Sequence, residues 1–146
     1  MPANIERPYH RRRMETIEIT LENRDRHVVD LTGEAAAFCR PLGNGLLSVF
    51  APHATAGVAL MELGSGSEPD LDEVLERLLP RDDRYRHRHG SSGHGADHLL
   101  PVFVSPSITI PVLGGRMALG TWQSVVLVDL NRDNPHRRVR LSFVPG

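Results

Sequence analysis

Apolar and polar residues alternate near both ends of this chain. A half-buried strand demands this pattern, because successive strand side chains point to opposite faces of a sheet. Thr16-Ile17-Glu18-Ile19-Thr20-Leu21 shows it near the start, and Val139-Arg140-Leu141-Ser142-Phe143-Val144 at the end. Ser107-Ile108-Thr109-Ile110-Pro111-Val112 shows it between them. Leu46-Leu47-Ser48-Val49-Phe50 and Gly57-Val58-Ala59-Leu60-Met61 are continuous apolar runs of strand length. Asn23-Arg24-Asp25 marks a turn, with His27–Leu31 as the returning strand. Gly114-Gly115 is a hairpin signal leading into a strand-rich stretch, Met117–Leu130. Helical period is clear in one place. Leu71, Val74, Leu75, Leu78 and Leu79 follow i, i+3, i+4, i+7, i+8. Ser67 is the expected N-cap, with Pro69 and two acids in the first turn, and Pro80 is the stop. A shorter helix is expected over Ala35–Cys39, capped by Thr32 and stopped by Pro41 and Gly43. About seven strands interrupted by two helices predict an α+β fold with mostly antiparallel pairing.

A chain of 146 residues fits one domain, expected over 14–146, behind a flexible polar arm at Met1–Arg13 that carries Arg11-Arg12-Arg13. Seventeen basic residues against 18 acidic ones give a net charge of −1, which excludes a generally basic nucleic-acid binder. All of the basic residues are arginine, so a Schiff-base or P-loop lysine is impossible. No apolar run approaches the ~20 residues that span a bilayer. Met1–Arg13 lacks the apolar core of a signal peptide. A single cysteine, Cys39, excludes an internal disulfide and a multi-cysteine zinc site. The expectation is a cytoplasmic protein without membrane or nucleic-acid partners.

The chemistry-bearing residues concentrate in a few segments. Four of the eight histidines, His87, His89, His94 and His98, fall within twelve residues of a long polar stretch, Arg81–Asp97. Imidazole is the commonest protein ligand for zinc and related metals. The spacing across the stretch is irregular and loop-like, so by itself it is a weak metal signal and points more to a solvated, His-rich loop. Gly64-Ser65-Gly66-Ser67 runs straight into a helix, where free N–H groups can hold phosphate or carboxylate. Glu62, at a strand end, is a candidate base or metal ligand. Thr121 and Gln123 are expected on one face of the second hairpin strand as a pocket lining, beside the lone Trp122, expected in the core. His136-Arg137-Arg138 offers charge for an anion or for a neighbouring subunit.

Taken together, His53-Ala54-Thr55-Ala56, Glu62, Tyr85-Arg86-His87, Asp97-His98-Leu99, Ser107–Val112, Gly115-Arg116, Leu119-Gly120-Thr121-Trp122-Gln123 and Arg137-Arg138 resemble the YjbQ (UPF0047) family over about Thr16–Val144. That family is often labelled secondary thiamine-phosphate synthase. The resemblance implies a two-sheet β-sandwich with two helices that assembles as a homotrimer. It implies a divalent metal ion, with zinc favoured, on His53, His87 and His98. It implies Glu62, Thr121 and Gln123 as catalytic groups. Anion contacts are expected from Gly64, Ser65, Gly66, Ser67, Arg116 and Arg138. The expected function is a metal-dependent enzyme acting on a phosphorylated small molecule, with weak thiamine-phosphate synthase activity as one form. The alternative is a non-catalytic trimer that binds a small anion or a metal. His89 and His94 are extra to the family pattern and read as loop decoration. The chain also departs from that pattern at Ala54, Met61, Leu63 and Leu100, where the family carries threonine, asparagines and lysine.

Overall fold

The computed structural model describes residues 13–23 and 26–146, so the expected arm, save Arg13, and the turn residues Arg24 and Asp25 lie outside it. The elements run β1 (Glu15–Glu22), β2 (Val28–Asp30), α1 (Thr32–Cys39), β3 (Gly45–Phe50), β4 (Ala56–Met61) and α2 (Ser67–Leu78). They continue with α3 (His94–Asp97), α4 (Leu100–Phe103), β5 (Ser107–Leu113), β6 (Arg116–Met117), β7 (Ser124–Asp129) and β8 (His136–Pro145). The strands form a five-stranded sheet, β1-β8-β3-β5-β6, and a three-stranded sheet, β2-β7-β4. Every pairing is antiparallel.

The alternation read in the sequence fixes which residues face inward. Along β8, Val139, Leu141 and Phe143 are buried, while Arg138 and Arg140 face out. They pack with Leu47 and Val49 of β3 and with Ile110 and Val112 of β5 against Val58, Val125 and Leu127 of the smaller sheet. Full burial of such side chains contributes roughly 1.5–3 kcal/mol each. Ala35 and Cys39 of α1 complete this core.

A two-sheet sandwich omits a third layer. The opposite face of β7 presents Val126 and Val128, which are covered by Leu75 and Leu79 at the α2 end and by Ala96 and Leu100 of α3 and α4. β7 is therefore buried on both faces, which explains why its sequence is a continuous apolar run rather than an alternating one. The stripe of α2 is only partly used: Leu75 is buried, whereas Val74 and Leu78 are exposed.

Both helix starts differ from the sequence expectation. Gly66, at φ +90°, is the N-cap of α2, and Ser67 is the first helical residue. Leu31 holds the N-cap position of α1. The Thr32 N–H donates to Asp30 Oδ1 (2.9 Å), and Thr32 Oγ1 accepts from the Val125 N–H (2.9 Å), tying α1 to β7 instead of capping it.

Candidate functional site

The stretch after α2 is loop-like in composition but held at both ends. Arg81 pairs with Asp97, which is fully buried. Tyr85 donates its hydroxyl proton to the Pro80 carbonyl (2.8 Å). Gly93, at φ +83°, starts the single turn α3, a conformation that L side chains rarely adopt. A Cβ on Gly95 would lie 2.7 Å from Tyr85 Cβ and 2.9 Å from the His87 carbonyl, so only glycine lets α3 close against the loop.

This closure gathers His87, His89, His94 and His98, whose nearest ring nitrogens all lie within 4.8 Å of one another. His94 and His98 are four residues apart, and the α3 turn places both on one side, with Nε2 to Nε2 at 2.9 Å. The His87 and His89 ring centroids are 4.0 Å apart, and His87 to His98 is 4.4 Å. His94 is backed from behind: its Nδ1 lies 2.9 Å from Asp133 Oδ2. The same Nδ1 lies 3.1 Å from Asn131 Nδ2, so a proton on Nδ1 serves Asp133 and leaves a lone pair on Nε2 facing His98, whereas a lone pair on Nδ1 accepts from Asn131. Asn131, buried, donates Nδ2–H to Asp97 Oδ2 (3.0 Å), and its Oδ1 accepts from the Asp133 N–H (3.0 Å). Beneath it, Arg137 pairs with Asp129 and donates to Thr55 Oγ1 (3.1 Å), all three being buried.

The electrostatics favour the neutral form of two of these rings, His98 and His87. Desolvation lowers the His98 pKa, and the neighbouring His87, His94 and His89 add to the shift against a small opposing pull from Asp97. His87 is lowered by desolvation and by His89 and His94. Asp97 moves the other way: burial raises it despite Arg81, Asn131 and His94. Asp133 is held low, first by its hydrogen bond from Ser91. Imidazole nitrogens converging on one point are suited to a cation, and imidazole sets favour zinc and related metals.

The remaining expected site residues are spread over the molecule. His53 stands outside the four-histidine group; its Nε2 accepts from the Arg138 N–H (2.9 Å), and its pKa is lowered by desolvation and then by Arg137. Glu62 is exposed just beyond β4 and also outside the group. Within Gly64–Ser67, the Gly64 N–H is already taken by Glu68 Oε1 (3.0 Å). Arg138 shares Glu18 with Arg140. Arg116 lies in β6 at a separate cavity.

Thr121 and Gln123 do not sit in a strand. Gly120–Gln123 is a turn between β6 and β7, closed by the Gln123 N–H to the Gly120 carbonyl (3.1 Å) and by the Gly120 N–H to Gln123 Oε1 (2.8 Å). Trp122 is 73% exposed at its tip, where the sequence suggested core. His89 and His94, read as decoration, belong to the cluster. The signal that could have found His94 is its His-x-x-x-His spacing with His98, masked by the glycines around it.

A family model described as "UPF0047 protein YjbQ-like" matches residues 15–146. A UPF0047 protein of Mycobacterium tuberculosis is 63% identical over 133 residues, covering 91% of this chain and all of its own length. The UPF0047 protein YugU of Bacillus subtilis is 30% identical over 86% of this chain and 93% of its own. Among solved structures, a hypothetical protein of Aeropyrum pernix superposes with a TM-score of 0.80 at 33% identity, over 90% of this chain and 99% of that one. A YbjQ-like protein of unknown function from Sulfolobus solfataricus gives 0.84 at 21% identity, over 92% and 99%, a likeness of fold alone.

Proposed function

We propose, from the premise that this chain belongs to the YjbQ-like UPF0047 family, that it is a histidine-ligated metal protein acting on a phosphorylated small molecule. The observation that carries this reading is the convergence of four imidazoles within 4.8 Å, with His94 oriented from behind by Asp133. Ligating histidines commonly donate their other ring proton to a carboxylate, which fixes the tautomer and the ring orientation. Zinc with bonds of ~2.0–2.1 Å separates tetrahedral nitrogen ligands by about 3.3 Å, within the range these nitrogens span. A bound divalent ion would supply Lewis-acid stabilisation of phosphate charge. A pocket of about 310 Å³ lined by Asp82, Asp83, His87, His89 and Ser91 opens beside the cluster and offers room for a small substrate.

Weak thiamine-phosphate synthesis, in which a pyrimidine carbon joins a thiazole nitrogen and pyrophosphate leaves, is one form of the same proposal. So is the homotrimer, which would cover exposed Leu99, Val102 and Phe103 beside His98. One observation favours the alternative of a non-catalytic binder. Four nitrogen donors fill a tetrahedral shell, and a catalytic site keeps one position open.

The test is elemental mass spectrometry of the untagged protein with His94→Ala, His98→Ala and His53→Ala. The expected result is about one zinc or related ion per chain, lost on removing His94 or His98. Absence of metal after incubation with zinc, manganese, nickel and iron would overturn the proposal. Loss in His53→Ala as well would make His53 a ligand brought in by a neighbouring copy.

A further inference from the structure

A cavity of about 550 Å³ lies between the C-terminal end of α1 and the β5–β6 hairpin, and it shares no lining residue with the histidine pocket. Ala36, Met117 and Leu119 give it an apolar floor, and Arg40 and Arg116 stand at its edge. No carboxylate among the described residues lines it. Neither guanidinium has an ion-pair partner among the described residues, unlike Arg81, Arg137, Arg138 and Arg140.

The backbone holds the two arginines together. Gly114 and Gly115 form the hairpin turn with φ of +57° and +75°. A Cβ on Gly115 would lie 2.3 Å from the Arg40 carbonyl oxygen, so the turn rests directly on the end of α1. The Gly115 N–H donates to the Gly43 carbonyl (2.8 Å), and the Gly114 N–H to Asn44 Oδ1 (2.7 Å). Residue 116 is thus pinned beside residue 40 by contacts that no ligand has to create.

We propose that this cavity is a binding site for a small phosphate monoester, with Arg40 and Arg116 clamping the phosphate and the apolar floor receiving the organic part. Guanidinium matches phosphate by paired, charge-assisted hydrogen bonds. The volume falls in the ~300–1,000 Å³ range of small-molecule pockets. Binding here stands apart from the histidine reading and needs no metal.

Phenyl phosphate, titrated calorimetrically into EDTA-treated full-length protein at low salt, is the probe. Wild type binds it, and more weakly as salt rises. Arg40→Gln and Arg116→Gln each weaken binding about tenfold or more. Ala36→Leu weakens it with both charges in place, by filling the floor. Arg77→Gln, a distant exposed arginine on α2, and His98→Ala leave it unchanged. No heat at millimolar phenyl phosphate, wild-type affinity in both arginine variants, or loss of binding in EDTA or in His98→Ala would each overturn the proposal.

Discussion

Replacing Asn131 with alanine removes the side chain that joins the histidine loop to the sheet core. Its amide donates to buried Asp97 (3.0 Å), and a hydrogen bond to a charged partner contributes about 1.5–3 kcal/mol. Its carbonyl accepts from the Asp133 N–H (3.0 Å), worth about 0.5–1.5 kcal/mol. The contact with Arg137, at 3.4 Å, is long and adds little. The expected destabilisation is about 2–4 kcal/mol, or roughly 6–12 °C in Tm for a chain of this length. Because Asn131 also fixes Asp133 behind His94, zinc affinity should fall about 10–100-fold, as it does when partners behind a ligand are removed. Urea unfolding of the metal-free protein and a competitive zinc chelator titration measure the two effects separately. A change under about 0.5 kcal/mol would refute the hydrogen-bond reasoning, and unchanged zinc affinity would refute the positioning role.

Gly57→Ala places a methyl 2.0 Å from the Val104 carbonyl oxygen and 2.7 Å from its Cγ1, so denaturant unfolding should show a loss of about 1–3 kcal/mol or more. In the metal-free protein His53, His87 and His98 have folded pKa values below their ordinary 6.5, so the unfolded chain binds more protons. Stability is then complete above pH 6.5 and falls as pH drops from there through the folded values; a Tm that rises on acidification from pH 7 would contradict these shifts. Trp122, the lone tryptophan and 73% exposed, should be fully quenched by iodide in dilute protein. Protection that grows with protein concentration would locate an interface on the 120–123 turn.

The strands were legible because burial on one face leaves a period of two, and Ile17, Ile19, Leu141 and Phe143 show it directly. The histidine site was half legible. His87 and His98 stood out, but His94 sits in a turn built on Gly93 and Gly95, residues of low helix propensity, with no apolar period to betray it. Asn131 and Asp133 act at a distance in sequence, and nothing local distinguishes them from loop polars. The Gly120–Gln123 turn defeats alternation for a related reason. Four residues alternating in polarity fit a strand, and only the Gln123 side chain folding back on Gly120 makes them a turn. Helix α2 kept its stripe but not its full cover, since a stripe states which face is apolar and not how much of it is met.

The first and last strands are partners, with Glu15 opposite Phe143 and Glu22 opposite His136. Asn131 and Asp133 lie just before that last strand. On the ribosome, therefore, the four histidines emerge before Asn131 and Asp133, which brace them from behind. Neither the five-stranded sheet nor the histidine cluster with its braces can close until the final strand is free of the exit tunnel. Pairing over such separations is slow to search, so assembly of the site should coincide with the last, rate-limiting event of folding.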